Sequence, residues 1–305
     1  MLTRIFALSI ALASPVAAAV IQDVRAAIAR NDFAGGEKLI ASYRAAGGVT
    51  PEVLEALSWL GRGAQAAKQW DQAEGYAVET RKLALAELTK RPLDAERHLP
   101  IALGASIEVQ AHVLAARNQR GEAVAFLEKE LAAWRDTSIR TRIQKNIHLL
   151  SLEGKPMPPL EMNEQLGPAA KPAAALKGSP LLLFFWAHWC GDCKYQAPIL
   201  ARLEREFSSR GLAIVGPTQR YGYAARGREA PPAEELAHID QVRQQFYADI
   251  AGMTVPVSED NFKNFGSSTT PTLMLVDRKG IVRMYHPGKM SYEELAPRVE
   301  AVVGR

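Results

Sequence analysis

From residue 181 to residue 215 the chain passes from an apolar run, 181–186, to an amphipathic stretch at about 190–209, and back to an apolar run at 212–215. Strand, helix and strand joined by short connections predict a right-handed βαβ unit with parallel strands. The polar stretch 219–252 then holds Leu236, Ile239, Val242, Phe246 and Ile250 at helical spacing. The end of the chain supplies a strand at 272–276, a turn at 277–280, a partner strand at 281–285, and a helix using Leu295, Val299 and Val302. An antiparallel pair added to a parallel unit gives a mixed central sheet flanked by helices.

Residues 20–150 read differently. They are rich in Ala, Leu, Glu, Arg and Gln, and no β-branched run interrupts them, so helices are expected throughout. Breaks fall at Gly47-Gly48, at Arg91-Pro92 and near Gly121, and Thr50-Pro51-Glu52 supplies a cap, a first-turn proline and an acid. Three helical hairpins follow. Two share a pattern: Leu57, Leu60, Gly61, Ala64 and Ala73 in one, Ala111, Leu114, Ala123 and Leu127 in the other, each with small residues 12 apart where two helices would cross closely. This resembles a degenerate tetratricopeptide array, with units 50 residues apart instead of about 34, and an irregular helical bundle is the alternative. From Gly154 to Pro180, six prolines and three glycines rule out a continuous helix and place a domain boundary near residue 151.

The first 19 residues carry Arg4, an apolar run at 5–12, Ser14-Pro15 and Ala17-Ala18-Ala19. That is the form of a cleavable secretory signal, with cleavage expected after Ala19, because an apolar core this short falls well below the roughly 20 residues a membrane-spanning helix needs. No other stretch is expected to span, so no stable membrane span should remain after cleavage and the mature protein should be periplasmic or secreted. At 305 residues and 48% hydrophobic content the chain is long enough for two cores. Its 37 basic and 33 acidic residues are dispersed without the dense cationic blocks of a phosphate-binding surface, which excludes a nucleic-acid partner.

Only two cysteines occur, Cys190 and Cys193, and random placement would give this spacing in roughly one chain in 150. At the first turn of a helix following a strand, Cys190 faces unpaired backbone N–H groups and the positive end of the helix dipole, which favour the thiolate. Cys190 is therefore the expected nucleophile. Cys193, one turn later and deeper, is placed to attack a mixed disulfide on Cys190 and release the substrate.

The segment Phe185-Trp186-Ala187-His188-Trp189-Cys190-Gly191-Asp192-Cys193-Lys194 resembles the thioredoxin active-site segment, with Pro198 at the helix-kinking position. A second match, Thr270-Pro271-Thr272, lies ahead of a strand, and Gly288 follows the last strand. The resemblance covers 151–305 and is closest to the TlpA/ResA-like, redoxin-type extracytoplasmic branch. It implies a thioredoxin-like α/β fold, a short edge hairpin built from 154–156 and 176–180, a cis Pro271 facing the dithiol, and Thr270 pairing with substrate backbone. It also implies that Trp189, Gly191, Asp192, Thr270 and Pro271 contact substrate. Where thioredoxins hold a buried acid this chain has Phe184, and where some relatives carry an active-site Glu it has Gln196. That leaves His188, Asp192 and Glu259 as candidate proton acceptors for Cys193. Asp192 places a negative charge beside Cys190 that opposes thiolate formation, partly offset by Lys194.

The expected organisation is a signal peptide at 1–19, a tetratricopeptide-like helical domain at 20–150 and a thioredoxin-like domain at 151–305. The expected activity is extracytoplasmic thiol-disulfide exchange with protein substrates and a separate redox partner, without a cofactor. Two alternatives stay open: a helical interaction scaffold with a structural thioredoxin-like domain, and copper binding by the cysteines with His188 or a Met. Zinc is excluded for want of a second cysteine pair, and peroxidase chemistry because Ala187 stands where a Thr would be needed.

Overall fold

The computed structural model describes residues 15–167 and 170–304. Most of the predicted signal segment lies outside the described residues. The chain divides into two compact units, the first running to Ala123 and including Thr137–Ile139, the second made of Val124–Asp136 and Arg140–Arg305.

Helices α1 (Pro15–Ala29), α2 (Phe33–Gly47), α3 (Pro51–Ala66), α4 (Trp70–Glu87), α5 (His98–Ala116) and α6 (Arg120–Ala133) follow in chain order, with short turns after α1, α3 and α5. Their turns are the same object three times. Asn31, Lys68 and Asn118 each take a left-handed conformation, with φ of 58°, 58° and 64°. In each, the next residue's N–H bonds to a carbonyl five residues back: Asp32 to Ala27, Gln69 to Ala64, Gln119 to Leu114. Aligned on these turns, the positions Gly61/Ala73 and Ala111/Ala123 gain a third counterpart in sequence, Val24/Gly36, which residue type alone concealed. The long spacing between the second and third turns comes from the connection between α4 and α5 and from longer helices on either side of it. The first unit's core is Val20, Val24, Phe33, Ile40, Leu57, Leu60, Ala73, Tyr76 and Val113 with their neighbours. One expectation is corrected here: α5 is long and apolar enough, by length and composition, to cross a membrane. Its apolar character is explained by its position, since Leu99, Leu103, Ile107, Val109 and Val113 are all buried within the unit.

In the second unit α7 (Arg140–Ser151) precedes the domain, and the chain continues as β1 (Gln165–Leu166), β2 (Leu181–Phe185), α8 (Gly191–Phe207), β3 (Ala213–Val215), α9 (Pro232–Phe246), β4 (Val255–Pro256), α10 (Glu259–Asn264), β5 (Thr272–Val276), β6 (Val282–Pro287) and α11 (Tyr292–Val303). The main sheet has the order β3-β2-β5-β6, parallel between β2 and β3 and antiparallel elsewhere, as the sequence pattern predicts. Strand β2 is apolar without interruption because both faces are covered. Leu182, Phe184 and Trp186 join the core under α8, α9 and α11. Leu181, Leu183 and Phe185 pack on the other side with Leu152, Phe262 and Phe265.

The expected edge hairpin does not form. Residues 154–157 instead line the edge strand β6, through Gly154 N–H to Val282 O and Met157 N–H to Gly280 O, while Pro180 accepts from Ala213 at the opposite edge. The first segment lies along the free side of β6 and the second leads into β2, with β5 between them, so they do not pair with each other. Helix α7 packs with this unit: His148 Nε2 lies 2.9 Å from the Asn264 carbonyl, and its ring meets Tyr285 edge-on at 5.6 Å. Gly266, at φ +61°, brings its backbone so close to α7 that a Cβ would lie 2.5 Å from Lys145 N. Only glycine fits there.

Candidate active site

Strand β2 leads directly into the loop 186–190, which residues 216–218 hold at Trp186. Trp186 N–H bonds to Pro217 O at 3.1 Å, its indole Nε1 donates to Gly216 O at 2.9 Å, and Thr218 Oγ1 donates to Trp186 O at 3.0 Å. The loop ends at Cys190, which occupies the N-cap of α8: its sulfur accepts from Cys193 N–H at 3.1 Å, the task Ser, Thr or Asp usually performs. Cys190 and Cys193 are joined as a disulfide, with Cα atoms 5.3 Å apart. Cys190 retains 4% exposure and Cys193 none, so the first cysteine is the more accessible.

Eighty residues later the chain returns to the same point. The Thr270–Pro271 peptide is cis, and the Thr270 carbonyl oxygen lies 3.4 Å from Cys190 Sγ. Gly288 N–H bonds to Pro271 O at 2.7 Å, clamping this turn to the end of β6, and does so at φ +113°, a conformation that favours glycine. Pro271 is buried and Thr270 half-buried. Around the dithiol, Trp189 is 51% exposed, and Gly191 and Asp192 are exposed. A side chain built at Gly191 would meet nothing, so open space lies in front of the pair.

The charge balance differs from the sequence expectation. Asp192 is paired with Lys289, from the turn after β6, at 2.6 Å. Lys194, the expected counterweight, instead lies over the Phe246 ring at 4.5 Å. Among the described residues, the exposed large apolar side chains include Trp189 and Tyr195, on either side of the dithiol in sequence, and Phe246, which meets Lys194. Tyr195 also carries Lys289 over its ring at 5.0 Å.

Phe184, in the usual place of an acid, is fully buried and packs edge-on against Tyr247 at 5.7 Å. Burial raises the Tyr247 phenol well above its ordinary range. Gln196 is fully buried and spends its carbonyl on Met290 N–H at 2.9 Å, holding the turn after β6. Of the three proposed proton acceptors, Asp192 is committed to Lys289 and Glu259 pairs with Lys263 on α10.

His188 is the exception. It is buried inside the loop, with the rings of Tyr221, Tyr223 and His238 edge-on at 5.7, 5.3 and 5.2 Å. Its Nε2 lies 3.5 Å from Glu235 Oε1, within ion-pair range but poorly aligned for a hydrogen bond. Burial, and next the charge of His238, push the His188 pKa below the ordinary imidazole value, with Glu235 pulling the other way. Glu235 itself is buried and accepts from Tyr221 N–H at 2.5 Å and Gly222 N–H at 2.9 Å. The sequence reading missed Glu235, although it stands in line with Ile239 and Val242 on the buried face of α9.

Comparison with known proteins agrees with this geometry. The Redoxin family model matches residues 152–303. These residues form a redoxin domain. The chain is 28% identical over 127 residues to the thioredoxin-like protein YneN of Bacillus subtilis, a stretch covering 41% of this chain and 65% of that protein. It is 26% identical over 144 residues to the thiol:disulfide interchange protein DsbE of Xylella fastidiosa, covering 47% and 65%. It is 22% identical over 130 residues to the thiol-disulfide oxidoreductase ResA of Geobacillus thermodenitrificans, covering 41% and 64%. The chain thus spans about two thirds of the length of each of these relatives. All three matches are confined to lengths that the redoxin domain can account for. Helices α1 to α6 lie outside the matched family segment.

Proposed function

We propose that this protein is a thiol-disulfide oxidoreductase that exchanges disulfides with protein substrates outside the cytoplasm, using Cys190 as nucleophile and Cys193 as resolving thiol. The observation that carries this reading is the convergence of two distant segments: a helix-capping Cys190 sulfur, bonded to Cys193, 3.4 Å from the carbonyl of Thr270. A purely structural disulfide has no need of open space in front of it or of an exposed Trp189 beside it.

In the reduced enzyme the Cys190 thiolate attacks a client disulfide, one client sulfur leaves as a thiolate, and a mixed disulfide forms. Cys193 then loses its proton to solvent and attacks the Cys190 sulfur, the second client sulfur leaves, and two electrons have passed to the client. The same steps reversed oxidise a client. A separate redox partner resets the dithiol. Trp189, Gly191 and Asp192 supply the rim that a client chain meets, and the Thr270–Pro271 turn supplies backbone groups beside the reacting sulfur. The rim is aromatic and close to charge-neutral, which suits an unfolded or extended polypeptide better than a compact charged partner.

Export rests on the N-terminal signal pattern, and on relatives whose names denote disulfide interchange. The helices of residues 20–150, with their repeated turns, support a tetratricopeptide-like domain that docks the client or the redox partner. The test is a non-reducing gel of the Cys193→Ser protein incubated with a disulfide-bonded model substrate. Mixed disulfides that accumulate, and that vanish in the Cys190→Ser/Cys193→Ser double variant, support the reading. Absence of adducts together with absence of exchange by the parent overturns it. Adducts that form with a model peptide but lose a native client on deletion of 20–123 would assign docking to the helices of the first unit.

A further inference from the structure

Disulfide exchange at Cys190 uses β2, α8 and the Thr270–Pro271 turn, but not the polar cluster that the segment between β3 and β4 brings beneath the active-site loop. We infer that Glu235, acting through His188, is a positioning residue for Cys190, and that His188 gains a proton when the Cys190 thiolate forms. The inference rests on the oxidoreductase reading and deepens it.

Three observations carry it. First, His188 is two residues from Cys190 and both are buried, so the two Cα atoms are within about 7.6 Å. Second, every group facing His188 has been placed by the fold: Glu235 and His238 from α9, Tyr221 and Tyr223 from the preceding loop, and Lys194 from α8. The tyrosines are neutral and Lys194 and His238 disfavour a second cation, which leaves Glu235 as the carboxylate aimed at the ring. Third, Glu235 is fixed by two backbone N–H groups and stops 3.5 Å short of Nε2. A proton on Nε2 would give that contact its donor.

With the disulfide intact, Cys190 bears no charge and burial keeps the imidazole neutral. A thiolate created beside it reverses that balance, because an opposite charge close by in a poorly solvated site favours the charged form of each partner. The balance of the step is complete. An external dithiol gives two electrons to the Cys190–Cys193 bond and closes to its own disulfide, releasing two protons. Cys193 takes one as a thiol, His188 takes the other, and Cys190 remains a thiolate. Trp189, which meets Tyr221 edge-on at 5.6 Å, rides on the same anchored loop, so the cluster that receives the proton also holds the residue flanking the nucleophile.

The test follows the His188 ring by NMR of full-length protein carrying 13C-labelled histidine, titrated oxidised and again in excess dithiothreitol, with a His188→Gln sample used only for assignment. In the parent, reduction should raise the proton affinity of His188 by about tenfold or more, one unit in its midpoint. Glu235→Gln should lower the His188 midpoint by about threefold or more in both redox states, and Glu235→Asp should restore most of it. An identical His188 midpoint in both redox states of the parent overturns the inference, and this arm needs no variant to fold. A reduced-state His188 midpoint left unchanged in a folded Glu235→Gln protein removes Glu235 from the role and equally overturns it. Failure of the enzyme reading is distinct: His188 would respond to dithiothreitol while the Cys193→Ser protein captures no client. Conversely, exchange with clients and an unresponsive His188 would retain the enzyme and discard the pair.

Discussion

The two sides of the active-site loop are built by opposite means. On one side β2, α8 and the core around Phe184 and Tyr247 hold the dithiol by apolar packing. On the other, the segment from Gly216 through α9 holds the same loop by a buried carboxylate, two backbone N–H donors and a ring of aromatic and imidazole edges. Apolar packing tolerates approximate geometry but supplies no charge. A polar cluster supplies charge response, at the cost of needing every buried group near a partner. A dithiol that changes charge in each cycle needs both, and here they come from different parts of the chain.

The largest effect should follow from breaking the packed side. Phe184→Ala removes a fully buried ring from the middle strand and should cost about 3–5 kcal/mol, read as a lower urea midpoint at unchanged slope. Phe184→Asp should cost as much or more, since it buries a carboxylate in an apolar core with no partner in place. A Phe184 variant that loses activity but no stability would show that the apolar side does chemical and not structural work.

Breaking the polar side should appear first as pH dependence. Burial holds His148 and His188 below the ordinary imidazole value in the folded protein. The unfolded chain therefore takes up protons as pH falls through about 6.5 while the folded chain does not, so stability present above that pH is lost below it. Urea unfolding at pH 7.5 and 5.5 should show this fall. His148→Gln should flatten part of it and leave the His188 part. Stability constant over that range would mean that both rings are protonated at no cost in the fold.

The apolar side was legible in the sequence and the polar side was not. The parallel unit, the antiparallel pair and the cysteine pair follow from period, length and spacing, because backbone hydrogen bonding and burial on two faces leave few arrangements for such a pattern. Pro198 and Thr270–Pro271 were legible only through the resemblance to the thioredoxin segment. Glu235 escaped because a carboxylate in the first turn of a helix normally faces solvent and the dipole. It is buried only because Tyr221 and Gly222 turn their N–H groups toward it, and no local pattern announces that. The edge hairpin was misread for a related reason: residues 154–157 pair with β6, more than a hundred residues away. In the first unit, the left-handed turns at Asn31, Lys68 and Asn118 reveal a shared turn that residue type at the aligned positions, Val24 in place of a small residue, had hidden.

The smallest effect belongs to the rim. Lys289→Met leaves Asp192 without its partner beside Cys190, which should slow alkylation of the reduced protein near pH 6 by about twofold or less, because an exposed pair is screened by solvent. Asp192→Asn should change the rate in the opposite sense by a similar amount. Effects of tenfold or more from either would mean that the rim carries charge control assigned here to the polar cluster.

The central claim, that Cys190 is the reacting sulfur and Cys193 the recessed one, is tested most directly by limited alkylation of the fully reduced protein with a bulky reagent at neutral pH, followed by mass spectrometry of the peptides. The helix-cap position and the greater exposure of Cys190 predict a single adduct on Cys190 while Cys193 stays unmodified until the protein is unfolded. Labelling of Cys193 first, or of both at equal rates, would contradict it.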